Sequence, residues 1–269
     1  MGEMIRSMVA DDMYYPGTPE ELRHRLQRAL AGAAGAAGTA RVVVGPYGAY
    51  DLTLDYTMEA LRAATRRTPE RVVILAPPHA SMPGRVLVPE SDLFATPFGA
   101  LPVDHEFLLE LIDSSTLFTR DEFSHLRDHS IETMLPPLHY LFGPIPIVPI
   151  LVGALSPALL RHAARILEAT LASEDSLIVI SANLSGFTTS LEADARARRM
   201  IRLMMNSPGE AILEAMETLE DRPRSLWPIV VGHLLAGECS RPVIVNRGTF
   251  DTEYDGDTGS VVFASIVYT

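Results

Sequence analysis

The stretch Arg71 to Ser81, RVVILAPPHAS, constrains the fold most: a run of five apolar residues, mostly β-branched, stops abruptly at two prolines and a histidine. A strand with no polar alternation has to be covered on both faces, as a central strand of a helix-flanked sheet is. His79 then lies just past the carboxyl end of that strand, the edge at which open α/β sheets bind ligands. Three further runs end in the same manner: Arg41 to Val44 before GPYGAY, Ile145 to Val152 before Gly153, and Leu177 to Ile180 before SANLSGF. If those strands are neighbours, Tyr47, His79 and Asn183 meet along one rim.

Helical patterns alternate with these runs. The first sixteen residues read as an extended arm ending in Tyr14, Tyr15 and Pro16. Thr18, Pro19 and Glu21 read as a capping box opening a helix to about Ala31. The tract from 31 to 40, AGAAGAAGTA, reads as a surface connection, and Leu54, Met58, Leu61 and Ala64 keep helical spacing after it. Val86 to Val88 and the pair around ATPFGALPVD form an excursion of short strands, and Asp104 caps the helix that follows. In RDHSIETMLPPLHYLF an apolar face of Ile131, Leu135 and Leu138 to Leu141 is interrupted at Pro136 and Pro137, which must end or kink a helix. Ser156 and Pro157 open an amphipathic helix to Ala172. Helical patterns continue from Ser190 to Leu219, broken at Asn206 to Pro208, and through the apolar IVVGHLLAG; two strands around the acidic loop DTEYDGD close the chain. The order predicts an α/β single-domain sandwich, residues 1–269, with a largely parallel central sheet flanked by helices. At 269 residues the chain is near the upper size for one core.

Composition narrows the partners. Acidic residues outnumber basic ones, 34 to 22, for a net charge of -12, and no Lys/Arg cluster is free of nearby acids. That argues against nucleic acid and anionic membrane. A single cysteine, Cys239, excludes an internal disulfide, and the amino terminus has no apolar core of signal-peptide length. No window approaches the ~18 apolar residues of a membrane span, so the expected location is the cytoplasm.

Several residues could carry chemistry. His79 at the strand end is either a pocket base or a capped structural imidazole. His129 and Glu132, three apart, form either a proton-handling pair or an amino-terminal arrangement in which Asp128 caps a helix and Glu132 orients His129. His125, in a charged loop, is expected to be solvated. Tyr47 and Tyr50 could stack on an aromatic ligand or pack against Tyr14 and Tyr15, and Asn183 and Ser185 offer neutral hydrogen bonds. The loop DTEYDGD departs from EF-hand spacing and reads as a solvated turn; Met200, Met204 and Met205 sit at helical spacing, as packing methionines do. GPYGAYDLT lacks both the G-x-G-x-x-G spacing and the P-loop lysine, and no G-x-S-x-G elbow occurs.

Taken in order, YYPGTPEELR, VVVGPYGAY, VVILAPPHAS, ATPFGALPVD, DHSIETMLP, IVPILVG, LIVISANLS and VNRGTFD with GSVVFASIVY resemble the Memo-like family, also called AmmeMemoRadiSam system protein B. That likeness spans nearly the whole chain. It implies a fold similar to the catalytic chain of class III extradiol dioxygenases, with a metal site of His, His and Cys at the strand ends. The family's first histidine, in APHAGY, falls here on Tyr47, and its second is kept as His79. The Asp and His of SSDxxH fall on Asn183 and Gly186, and the Cys-Gly pair on Arg224 and Ser225.

A first-row metal needs three or four donors on one centre, and a lone imidazole does not hold one. Tyr47 is a poor donor near its usual pKa of ~10, and Arg224 sets a fixed cation where a cation should bind. The reading is therefore a Memo-like protein with a degenerate metal site, no metal and no cofactor. It would be a non-catalytic protein that binds a small ligand through Tyr47, His79, Asn183, Ser185 and Arg224, or a protein partner or second copy. One alternative is an enzyme acting on a small phenolic or anionic substrate through His79, His129 and Glu132. Another is an inactive partner subunit of a catalytic homologue.

Overall fold

A computed structural model describes all residues except Met1, 35–37, Ser81, 172–174 and 255–256; for 252–254, 257 and 258 it describes the backbone alone. From the amino end the elements are β1 (Ile5–Arg6), α1 (Pro19–Gly32), β2 (Val42–Gly45), α2 (Tyr50–Arg62), β3 (Arg71–Ala76), β4 (Val86–Val88), β5 (Leu93–Thr96), β6 (Gly99–Pro102), α3 (His105–Ser114), β7 (Phe118–Arg120) and α4 (Glu122–Leu126). A 3-10 turn (Glu132–Met134) leads into α5 (Leu135–Phe142), β8 (Ile147–Val152), α6 (Pro157–Thr170), β9 (Ser176–Ser181), α7 (Ser190–Asn206), α8 (Ala211–Glu217), α9 (Leu226–Ala236), β10 (Pro242–Tyr254) and β11 (Asp257–Tyr268).

The main sheet runs β10-β11-β2-β9-β3-β8-β4-β7 among the described residues. Its four inner strands, β2, β9, β3 and β8, are mutually parallel. The β10–β11 hairpin joins β2 antiparallel on one side, and on the other β4 runs antiparallel to β8. The sheet is thus parallel at its centre and mixed at its flanks. Val72 to Ala76 in β3 are each fully buried, which is what an uninterrupted apolar strand demands. Helix α2 packs on β2 and β11, and α9 on β9, β3 and β2.

A second sheet, β1-β5-β6, holds the excursion after β4. Its β5–β6 turn passes through Gly99 at φ 124, a conformation that favours glycine. The expected arm is partly woven into this sheet, since Ile5 and Arg6 pair with Leu93 and Phe94. Beyond it, Ala10 and Tyr15 close a smaller apolar core with Leu22, Leu26, Tyr50, Leu54 and Met58.

Several local expectations change. Thr18 is the N-cap of α1 but its side chain makes no capping bond, so the capping box does not form; Pro19 in the first turn removes one of the donors it would have served. Pro136 and Pro137 open α5 rather than ending a helix, because the first turn needs no amide from them. In the 31–40 tract the Gly38 and Ala40 amides donate to Arg62 and Ala63 at the end of α2, so this part is docked. Met200 and Met204 are buried while Met205 is exposed. The acidic loop lies largely outside the described residues. No helix among those described is long and apolar enough to cross a membrane.

Candidate functional site

The carboxyl ends of β2, β9 and β3 lie side by side, and each delivers a residue to one rim: Tyr47, Asn183 and His79. The segment 127–131, between α4 and the 3-10 turn, crosses those strand ends and is stapled to two of them. Ser130 Oγ lies 3.1 Å from Pro77 O, and Ser181 Oγ donates to Ser130 O at 2.6 Å.

His79 is held by Asp128, a partner the sequence reading did not assign to it. Asp128 Oδ2 accepts from the His79 amide at 3.1 Å and lies 2.8 Å from Nδ1. Its other oxygen accepts from the Ser130 amide at 2.7 Å and from the Ser130 hydroxyl. Although burial pushes the Asp128 carboxyl up, hydrogen bonds and the charge of His79 outweigh it, and the net pKa is lowered. Asp128 is buried at 2% side-chain exposure, whereas the His79 side chain is 35% exposed. The carboxylate therefore holds the Nδ1 side of the ring in place. The Asp128 of the sequence reading, a helix cap, is instead the orienting partner of His79.

His129 packs its ring 3.9 Å from that of His79, centroid to centroid, and takes the edge of Tyr14 at 4.5 Å. Burial, reinforced by the neighbouring His79, pulls its pKa down to about 4, so it is neutral at pH 7. Tyr47 stands 6.1 Å from His79 and 6.0 Å from His129. Burial pushes its phenol above the usual value despite the nearby Arg224 and a hydrogen bond with Ser225.

The remaining candidates divide. Arg224 reaches the rim, where NH1 donates to His79 O at 2.6 Å. The Asn183 amide is spent on Tyr47: Oδ1 accepts from the Tyr47 amide and Nδ2 donates to the Tyr47 carbonyl, each at 3.2 Å. Ser185 stands apart, buried, its hydroxyl accepting from Val262 N at 3.0 Å. Glu132 does not face His129. Its carboxylate accepts from Arg6 at 2.5 Å, from the amides of Val9 and Ala10 at 2.9 to 3.1 Å, and from Tyr15 Oη at 2.6 Å. The proton-handling pair is therefore not assembled, because the arm takes the carboxylate first.

His125, expected in solvent, is 1% exposed. Its Nε2 lies 3.2 Å from Leu87 O, its ring is edge-on to Phe94, and burial lowers its pKa to about 4. Tyr50 is buried too, donating to Thr133 O at 2.8 Å. Among the described residues no three His, Cys, Asp or Glu side chains gather where they could hold a metal ion.

The Pro78–Ala80 turn separates two clefts. The one beside His79, of about 390 Å³, is bordered by Phe123, Ser124 and Arg127. The other, of about 120 Å³, has Met82, Val152, Arg222, Arg224 and Trp227 on its walls.

The fold defines an α/β protein in which these residues gather at the strand ends. The Memo-like protein family profile matches residues 6–236, and the chain belongs to that family. Relatives described as MEMO1 family proteins include one from Nitrosopumilus maritimus, 26% identical over 205 residues and 74% of each chain. One from Thermotoga petrophila is 30% identical over 74% of this chain and 70% of its own. One from Aquifex aeolicus is 34% identical over 51% of each. A crystal structure of an uncharacterised Escherichia coli K12 protein superposes at TM-score 0.56 and 14% identity, covering 84% of this chain and 98% of that one. At that identity the likeness shows the fold alone, and it agrees with the α/β architecture described above.

Proposed function

We propose that this chain is a Memo-like protein with a degenerate metal site, acting as a non-catalytic small-ligand-binding protein, one domain over residues 1–269 in the cytoplasm. One observation carries the reading: of the three positions implied for metal ligands, Tyr47, His79 and Arg224, only His79 keeps the implied side chain, and the polar groups around it are bonded within the protein. Asn183 is closed on Tyr47, Arg224 on the His79 carbonyl, and the Nδ1 side of His79 on Asp128. The residues do not fit a metal of the family's kind. Tyr47 is held as a neutral phenol by burial, Asn183 offers no charge, and a guanidinium stands where a thiolate would complete the set. His129 is a neutral imidazole that could donate, but together with His79 it makes only part of a ligand set.

Metal analysis of protein expressed in medium supplemented with iron, copper and zinc tests this. Sub-stoichiometric metal is expected in wild type, unaltered in His79→Ala. A stoichiometric metal that the substitution abolishes would overturn the reading.

The His79–Asp128 pair favours a second reading, acid/base chemistry on a small phenolic or anionic substrate. A carboxylate holding the Nδ1 side of an imidazole is the usual way to present Nε2 as a base. Under that reading Asp128→Asn lowers turnover without weakening substrate binding. Neither reading calls on nucleic acid. Pairing with a catalytic homologue is set apart by co-purification with a related chain carrying the full His, His and Cys set.

A further inference from the structure

The smaller cleft, behind the Pro78–Ala80 turn, combines two features that do not otherwise belong together. Its apolar wall is Met82, Val152 and the indole of Trp227, whose Nε1–H is tied to Leu155 O at 3.0 Å, fixing the ring. At Gly153 the wall is bare backbone, since a Cβ there would overlap the Met82 carbonyl. Two arginines, Arg222 and Arg224, line the same small space. Neither is neutralised by a carboxylate among the described residues. Arg222 donates to the Leu219 and Glu217 carbonyls, and Arg224 to the His79 carbonyl. The neighbouring acid, Asp221, is paired with Arg196. In a chain of net charge -12, this is a local reversal of sign around a hydrophobic hollow.

We propose that this cleft binds a small organic anion: a carboxylate or phosphate monoester on one ring or a short branched apolar body. The apolar part lies against Trp227 and Met82, and the charged end meets Arg222 and Arg224, whose remaining N–H groups suit such oxygens. The cleft shares only Arg224 with the residues proposed for the rim, so this goes beyond the small-ligand reading by adding a second hollow with its own ligand class. The volume of about 120 Å³ admits one ring and little more.

Trp227 is the only tryptophan, so its fluorescence reports this cleft and not the larger one beyond the turn. The full chain is titrated with benzoate, phenyl phosphate, benzyl alcohol, benzylamine and inorganic phosphate. Benzoate and phenyl phosphate are expected to change the emission saturably. The neutral and cationic ring compounds, and inorganic phosphate without a ring, should bind about tenfold more weakly or less. Arg222→Gln and Arg224→Gln, both at exposed side chains, should each raise the Kd for benzoate about three- to tenfold without moving the thermal midpoint. Arg127→Gln, in the other cleft, should leave it unchanged. Equal response to all ring compounds, no saturable response to either ring-bearing anion, or wild-type affinity in the Arg222→Gln/Arg224→Gln double variant overturns the proposal. The parent reading fails separately: a stoichiometric metal with charge discrimination intact sinks that reading alone. Metal-free protein that does not discriminate charge sinks only this inference.

Discussion

Glu132 and His125 show how single buried groups set the behaviour of the rim. Glu132 and Arg6 form an ion pair with side-chain exposures of 0% and 1%, and Arg6 also donates to the carbonyls of His125 and Asp128 at 2.8 and 2.5 Å. Breaking a buried pair leaves one charge without compensation, so Glu132→Gln is expected to cost about 3–5 kcal/mol in urea unfolding at pH 7. A loss under about 1 kcal/mol would show that the arm does not depend on this charge. His125 is buried neutral, with its pKa lowered to about 4 against an ordinary 6.5. In that window the unfolded chain binds the extra proton, so stability rises with pH; the contribution is full above about 6.5 and gone below about 4. Acidification across it should remove about 3 kcal/mol on account of His125. His125→Gln, which can still donate to Leu87 O, should lessen the slope of the urea midpoint with pH between those limits, His129 with its pKa also lowered to about 4 carrying part of the rest. An unchanged slope would refute the assignment.

At the scale of elements, α9 sits close against β9. Gly232 lies against Ile180, and a Cβ there would overlap the Ile180 side chain. Gly232→Ala should therefore destabilise by about 1–3 kcal/mol despite the better helix propensity of alanine, measured by urea unfolding; a gain in stability would mean that the layers can separate at no cost. The inner strands are readable from one sequence because burial on both faces keeps polar residues to their ends, as in Val72 to Ala76 and Leu177 to Ile180. The rim was readable in the same way, since Tyr47, His79 and Asn183 stand where the apolar runs stop. What could not be read was pairing at a distance. His79 and Asp128 are 49 residues apart, and Glu132 is 126 from Arg6, so nothing local announces either partnership. The burial of His125 is hidden from the sequence for the same reason: its charged neighbours say nothing of β4, whose Leu87 carbonyl it meets. The prolines of α5 misled because a first helical turn and a helix break call for the same residue.

On the scale of the whole molecule, two cores are joined at the rim. The larger surrounds the main sheet, and the smaller sits beneath the arm and between α1 and α2. The segment 127–131 touches both, reaching β3 and β9 through Ser130 and the arm through Arg6, which is why the site is framed by residues from nearly every third of the chain. The sheet order adds something further. β11, the last strand, lies between β10 and β2, one of the first. During synthesis β2 leaves the ribosome with neither neighbour available, and its flank toward β11 remains an open, apolar edge until Ile266 and Val267 have been added and paired with Val44 and Val43. Without the segment that carries Ile266 and Val267 that sticky border would stay uncovered, so its deletion is expected to produce clumping and proteolysis rather than a working protein.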